Sequence, residues 1–455
     1  MVRDIRISII IPVFNSGEYL RRSLDSCVYQ TMREIEVIAV WDRSPDIRDK
    51  KIIQEYEQEY PDMVRGIHHE QNLGAGEARN TGIREARGRF IMFCDSDDFL
   101  ELNACQTMYE AACTGDADLV VCDYYYLRDS VIGTRTVNKG IDSAVSNQRP
   151  YHLDKATIWV MLVAKTLIEE QALYFTSHRI GEDCVCVFWY MAAKKIVKVS
   201  LPLYYYVYRK SSLIGSMSEQ ASTDLADAYI GLLDNQYYSS SEDEEKRAVC
   251  YSIFRRFFGY WLERIYQSPQ GDFYTLFLQL LTIKNTCKDF YSAARDMDYH
   301  WETRRMFAIL RFIEKNLESA DSNARFREFY TGLDMSITKN AFLQLGEELK
   351  EKRVVLWAAG SYGRIHQVCL QNTGISFEMT DINAEAMDYL PWDDLKYNTD
   401  VVLVSSSEFM ETVIQIVTSQ DKTNETLAKE PIETWDLQAF LNKNCELVRE
   451  CVEEY

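Results

Sequence analysis

Over the first two hundred residues, short apolar runs alternate with segments whose apolar positions recur at helical spacing. Residues 7–13 are an almost unbroken apolar run, the pattern of a strand covered on both faces. Over 17–30, Leu20, Leu24, Cys27 and Val28 share one face at helical spacing. The same reasoning predicts strands over 36–40, 64–68, 89–93 (running on to Asp95) and 119–122, with helices over 48–60 and 76–87. Strands alternating with helices to about residue 218 indicate an α/β domain.

The pattern then becomes helical. Phe254, Phe257, Phe258, Trp261, Leu262 and Ile265 form a single apolar stripe, with Arg255, Arg256, Glu263 and Arg264 off it. A second stripe, containing Phe273, Leu276, Phe277, Leu280 and Leu281, offers a surface for it to pack against in a bundle. A helix lying on a membrane surface would show a similar pattern. Strand–helix alternation returns near residue 352, with strands over 353–357, 377–380 and 401–404 and a helix over 361–371. The organisation expected is an α/β domain over 1–220, a helical region over 221–346 and a smaller domain over 347–455.

Composition narrows the function. In 455 residues, 47% are hydrophobic and 26% charged, which excludes a wholly disordered or collagen-like chain. Asp and Glu number 70 against 50 Lys and Arg, a formal net charge of −20. Such a field repels phosphate backbones, so no nucleic-acid partner is expected, although one cleft can still be locally basic. The 12 cysteines are scattered without a CxxC pair; Cys184 and Cys186 fit neither a zinc ribbon nor a redox motif. The apolar run before Pro12 is too short for a signal peptide, and no later stretch is long enough to span a membrane. A reducing, cytoplasmic location is the expectation. The acidic run over 241–247 reads as a solvated loop or helix start.

The candidate chemistry begins with FCDSDDFL over 93–100, directly after a predicted strand. Asp95, Asp97 and Asp98 would stand at the carboxyl end of that strand, where open α/β sheets bind ligands. Their hard oxygens suit Mg²⁺ or Mn²⁺, which would join them to a substrate's phosphates. The alternative is an acidic turn capping a helix that starts near Glu101.

Taken together, ISIIIPVFNSGEYLRRSLDSCVYQT, the turn at Asp42 and NLGAGEARNTGIREARGRFIMFCDSDDFL resemble the inverting, GT-A-fold glycosyltransferases of family two, across about the first 215 residues. The resemblance implies a nucleotide-diphospho-sugar transferase domain and carries roles with it. Pro12, Phe14 and Asn15 fall where the family holds base and ribose. Asp42 matches the acid that hydrogen-bonds uracil, but Trp41 replaces the acid before it and Arg43 the glycine after it. Arg79 matches a position beside the nucleotide, and it could equally be a surface arginine near a helix end. Asp95 corresponds to an acid near the ribose and Asp97 to the ligand of a Mn²⁺ or Mg²⁺ ion on the diphosphate.

A second motif, RIGEDCVCVFWYMAAKKIVKVSLPLYYYVYR over 179–209, carries the family's acidic pair. It makes Asp183 the candidate general base, with Glu182 as orienting neighbour or alternate base; the same pair could simply cap a helix. An acceptor hydroxyl attacks well only when a placed carboxylate takes its proton. Arg209 and Lys210 would add positive charge over the diphosphate, while His178 could touch acceptor or phosphate or be structural. Tyr124, Tyr125 and Tyr126 read either as sugar-stacking rings or as an alternating, half-buried strand.

Near the C-terminus, VVLWAAGSYGRIHQ over 354–367 resembles the opening of a Rossmann unit, with Ala358, Gly360 and Gly363 on the glycine template and Asp381 about twenty residues on. It reads as a second nucleotide pocket or as a Rossmann-like half-domain used for packing. Three functions therefore compete. The leading one transfers a sugar from a nucleotide sugar, UDP-linked, to a glycan, lipid-linked or protein-linked acceptor. The others are an oxidoreductase centred on Gly360 and Asp381, and a noncatalytic sugar-nucleotide-binding module. A lipid-linked acceptor would bring peripheral contact with the inner face of the membrane; oligomeric state is left open.

Overall fold

The computed structural model describes residues 4–128, 131–136, 157–177 and 181–207. Beyond these it describes only short pieces, chiefly within 227–241, 345–357 and 367–371, with 376–380, 401–404 and 433–436. The predicted stripe over 254–265, His178, Arg209, Lys210, Gly360, Gly363 and Asp381 lie outside the described residues. The chain divides into two compact units, one holding a nine-stranded sheet and the other a four-stranded sheet.

The first unit opens with β1 (Ile7–Val13), α1 (Tyr19–Val28), β2 (Ile35–Trp41), α2 (Ile47–Glu59) and β3 (Val64–His68). It continues with α3 (Ala75–Glu85), β4 (Phe90–Phe93), the two-residue β5 (Phe99–Leu100), α4 (Ala104–Gly115) and β6 (Leu119–Arg128). After β7 (Val131–Thr136) come a 3₁₀ turn at Ile158–Val160, β8 (Met161–Ala164) and α5 (Lys165–Glu170). A second 3₁₀ turn, Glu182–Val185, runs into α6 (Cys186–Ala192), and β9 (Ile196–Val207) follows; a short α7 (Gln236–Ser240) stands further on.

Every residue of β1, β2 and β4 is buried. That is why these strands read as apolar runs rather than alternations: helices cover both faces of a parallel sheet. β1 pairs in parallel with β2 on one side and β4 on the other, and β2 with β3. The sheet order is β3–β2–β1–β4–β8–β6–β9–β5, with β7 beside β6. The chain thus turns back across β1, and the crevice beyond the carboxyl ends of β1, β2 and β4 is a topological switch point, the place where such sheets bind ligands.

β8 slots between β4 and β6, antiparallel to both, and extends the sheet beyond its parallel half. β6 and β9 pair in parallel, with irregular register around Cys122 and Asp123. Asp123 there faces Pro202, which has no N–H to give to the ladder. Past this break Tyr124, Tyr125 and Tyr126 face Tyr204, Tyr205 and Tyr206 in turn. Trp159 stacks on Tyr204 at 4.6 Å and Tyr206 at 5.4 Å between ring centroids, and Tyr125 on Tyr205 at 5.2 Å. The tyrosine run is therefore an alternating strand whose rings pack across strands.

In the second unit, β10 (Val354–Trp357), β11 (Phe377–Thr380), β12 (Val401–Val404) and β13 (Glu433–Asp436) are all parallel, in the order β11–β10–β12–β13. The first three were expected from the apolar pattern; β13 was not, since ETWD is half polar. Among the described residues no helix is long and apolar enough to cross a membrane. The described cysteines are all free thiols, buried except for Cys113.

Candidate active site

Three loops meet at the switch point. The loop after β1 begins with half-exposed Phe14 and with Asn15, whose φ is 51°. Asp49, fully buried in the first turn of α2, holds this loop: it accepts the backbone N–H groups of Ser16 at 3.1 Å and Gly17 at 2.8 Å. Ser44 Oγ donates to Asp49 at 2.7 Å and accepts from the Asn15 N–H at 2.9 Å. Ser16 Oγ in turn donates to Ser96 Oγ at 2.6 Å, tying the first loop to the aspartate loop after β4. Pro12 is buried within β1 itself.

Asp42, at the carboxyl end of β2, is almost wholly buried. Its carboxylate accepts the N–H groups of Leu73 and Gly74, both at 2.8 Å, and meets His69 Nδ1 at 2.8 Å. It thereby fixes the loop that leads into α3. Arg43 occupies the family's glycine position with φ 53°, the left-handed conformation a glycine would adopt without strain. Trp41, in place of the other acid, has the Arg43 guanidinium at 5.5 Å and the Lys50 ammonium at 5.3 Å from its ring centroid. The corner that carries an acid in the resembling family is here aromatic and flanked by cations.

The loop after β4 carries the three aspartates in different settings. Asp98 is buried; Tyr204 Oη donates to it at 2.7 Å and the Val207 N–H at 2.7 Å. Burial, with the charges of Asp97 and Asp95 nearby, pushes its carboxyl well above the usual range. Tyr204 Oη also accepts the Asp95 N–H at 3.1 Å, so one buried phenol braces the whole turn against β9. Asp95 receives Arg79 Nη2 at 2.7 Å. Asp97 is half-buried at the tip, and its carbonyl accepts Arg22 Nη2 at 3.0 Å.

Gly76, Arg79 and Asn80 of α3 lie at i, i+3 and i+4, on one face. All three touch the segment that leads to the acidic pair. A Cβ on Gly76 would lie 2.5 Å from the Thr176 carbonyl and 3.0 Å from Glu182 Cβ, so only glycine permits this approach. Asn80 exchanges two hydrogen bonds with the Phe175 backbone, each 2.9 Å. Arg79 Nη1 donates to Glu182 at 3.0 Å, and its guanidinium lies 5.5 Å from the centroid of the Phe175 ring. Burial opposes the arginine's charge, yet Asp95 and Glu182 hold its pKa above the ordinary value. Glu182 is raised by burial and by Asp183, against the pull of Arg79. Asp183 follows in the same 3₁₀ turn, with the Cys184 thiol 3.9 Å from its carboxylate.

The structure thus brings Asp95, Arg79, Glu182 and Asp183 into one neighbourhood, with Asp97 two residues from Asp95 on the same loop; Arg209 lies outside the described residues. Arg79 is no surface arginine, because its side chain is 6% exposed. Sequence reasoning missed Asp49, Tyr204 and the clamping role of Asn80. Asn80 alone had a visible signal, one helical turn from Gly76 beside Arg79.

The donor set fits a divalent ion in one manner. The carboxylate of Asp97, half-buried on the aspartate loop, would hold the cation, which would complete its oxygen shell from a diphosphate, as Mg²⁺ commonly does. Among the described residues no group of three or more His, Cys, Asp or Glu could hold a metal by itself.

The chain's likeness to known proteins agrees with this layout. Residues 8–173 match the family model described as Glycosyl transferase family 2. Glycosyltransferase GlyA of Streptococcus pneumoniae is 30% identical over 256 residues, 52% of this chain and 36% of GlyA. EpsH of Bacillus subtilis is 33% identical over 221 residues, 46% of this chain and 62% of EpsH. The matches therefore span about a third and under two thirds of these relatives. A crystal structure of Staphylococcus aureus TarS residues 1–349 in complex with UDP superposes with a TM-score of 0.54 at 17% identity, covering 74% of this chain and 92% of that one. Residues 8–173 accordingly match a glycosyl transferase family 2 domain, and the fold is the GT-A fold shared with TarS.

Proposed function

We propose that this protein is a metal-dependent, inverting glycosyltransferase that moves a sugar from a nucleotide sugar to a hydroxyl of a glycan or glycoconjugate. The observation that carries the reading is the meeting, at the switch point of the sheet, of the Asp95–Asp98 loop with the Glu182–Asp183 turn, joined by Arg79. Such a site needs carboxylates for two tasks, one near a diphosphate and one near an acceptor, and these two loops supply them.

On this reading the loops after β1 and β2 receive the base and ribose, with Phe14 and Asn15 at the rim and Asp42 fixing the loop before α3. A UDP donor is adopted from the likeness to TarS, which shares the fold and was solved with UDP, since Asp42 itself is buried and committed to the loop before α3. Asp97 would hold Mn²⁺ or Mg²⁺, which when bound neutralises charge on the departing diphosphate. Asp183 accepts the acceptor's hydroxyl proton while that oxygen forms its bond to the anomeric carbon. The bond from that carbon to the diphosphate oxygen breaks, its electron pair leaves with the diphosphate, and configuration inverts in a single displacement. The second unit is read as a Rossmann-like accessory domain, its order reversing at β10 as in doubly wound sheets. A cytoplasmic location, with peripheral contact at the inner membrane face for a lipid-linked acceptor, belongs to the same proposal.

A panel of nucleotide sugars, assayed for donor hydrolysis with Mn²⁺ and with EDTA, tests the reading. Hydrolysis of one donor that requires the ion, abolished in Asp97→Asn, is the expected result. Turnover that proceeds equally in EDTA, or reduction of NAD(P) by the chain, would overturn it.

A further inference from the structure

We propose that Arg79 is a positioning residue that couples the donor side of the crevice to the proton-accepting side, and that Glu182 orients the turn bearing Asp183 instead of accepting the proton itself. The inference rests on the proposed transferase reading and adds a division of labour within its site.

Geometry is the basis. One guanidinium spans two carboxylates brought from distant parts of the chain: Asp95 at the end of β4, 2.7 Å away, and Glu182 at the start of its 3₁₀ turn, 3.0 Å away. Both terminal nitrogens already donate to protein carboxylates. An arginine waiting for a diphosphate would present them to the crevice. This one is buried, and its Nε is enclosed with no hydrogen-bond partner. An enclosed N–H without a partner is unfavourable, so the surroundings must hold the group where it is. They do so on both flanks. Asn80 fastens Phe175 by two hydrogen bonds, and Gly76 admits Thr176 and Glu182 to close packing.

The α3 face therefore sets the separation between the aspartate loop and the acidic turn. Glu182 Oε1, occupied by Arg79, is part of that frame, and Asp183 follows it on the turn the frame positions. Lysine cannot replace such a bridge, since a single ammonium does not reproduce the planar two-ended fork.

The test uses the full chain and compares wild type with Arg79→Lys, Glu182→Gln and the double variant. The readouts are steady-state kinetics with the active nucleotide sugar, and calorimetric binding of UDP with Mn²⁺. Each single variant should lower kcat by about 10- to 100-fold, the scale of a misplaced reacting group, with donor KM and UDP affinity within about threefold of wild type. The double variant should fall little below the worse single one, because both cut the same link. A rise in donor KM with unchanged kcat in Arg79→Lys would make Arg79 a phosphate ligand and overturn the proposal. So would multiplicative losses in the double variant. Glu182→Gln losing activity by orders of magnitude while Arg79→Lys stays near wild type would make Glu182 the base, again overturning it. If Arg79→Lys does not fold, Glu182→Gln decides by size: a kcat loss of about 10- to 100-fold supports the proposal, and a loss beyond about 10³-fold, the scale of a missing base, overturns it. Wild type inactive on the whole donor panel would remove the transferase reading and this inference with it; an active wild type with the wrong variant pattern would remove only the inference.

Discussion

Asp97 and Asp183 carry separable tasks, and single substitutions should separate them. Asp183→Asn keeps the size and loses the base, so transfer should fall about 10²- to 10⁴-fold while UDP binding with Mn²⁺ is retained. Asp97→Asn should abolish the metal-dependent part of UDP binding. Tyr204→Phe makes a third case: it removes the hydroxyl that serves both one oxygen of the buried Asp98 carboxyl and the Asp95 N–H, while the Val207 N–H still serves the other oxygen. Urea unfolding should show a loss of about 1–3 kcal/mol. Asp95 and Asp97 stood out in the sequence because they follow an apolar run, and Glu182 and Asp183 because their motif resembles the family's acidic pair. Asp49 and Tyr204 did not. A first-turn acid and one tyrosine in a run of three look solvated or simply packed until the fold shows which loop each one holds. Arg43 is instructive in the opposite direction, since the departure from glycine was visible while its retained left-handed backbone was not.

The helices over 48–60 and 76–87 were expected and stand at Ile47–Glu59 and Ala75–Glu85, and β1 and β3 have the predicted limits. Apolar periodicity suffices where an element is covered on both faces or has one clear stripe. It failed for β8, four apolar residues too few to show a period, and for the full length of β9, which Pro202 interrupts. Helix α3 explains its own motif. Its glycines give close approach, Gly76 to the 175–182 segment and Gly82 to Ile10, and its arginine and asparagine fasten what has approached. Gly76→Ala must displace a backbone carbonyl rather than a flexible side chain. We expect thermal or urea unfolding to show about 1–3 kcal/mol of destabilisation, the scale of overpacking, and transfer to drop in parallel.

At the scale of the molecule, two sheets stand in two compact units, and only the nine-stranded one bears the carboxylates on which the account depends. Asp381→Ala should therefore leave donor hydrolysis within about twofold of wild type, a change no larger than surface substitutions usually cause. A large loss in that assay would bring the second unit into the reaction. The net charge of −20 makes a diphosphate ligand unwelcome unless something at the site offsets it, and that is the role given to the cation on Asp97. Calorimetric titration of UDP into the full chain, with Mn²⁺ and then with EDTA, tests this most directly. Saturable binding with Mn²⁺ that disappears in EDTA and in Asp97→Asn is the expected result. Equal binding in both buffers, or none in either, would contradict it.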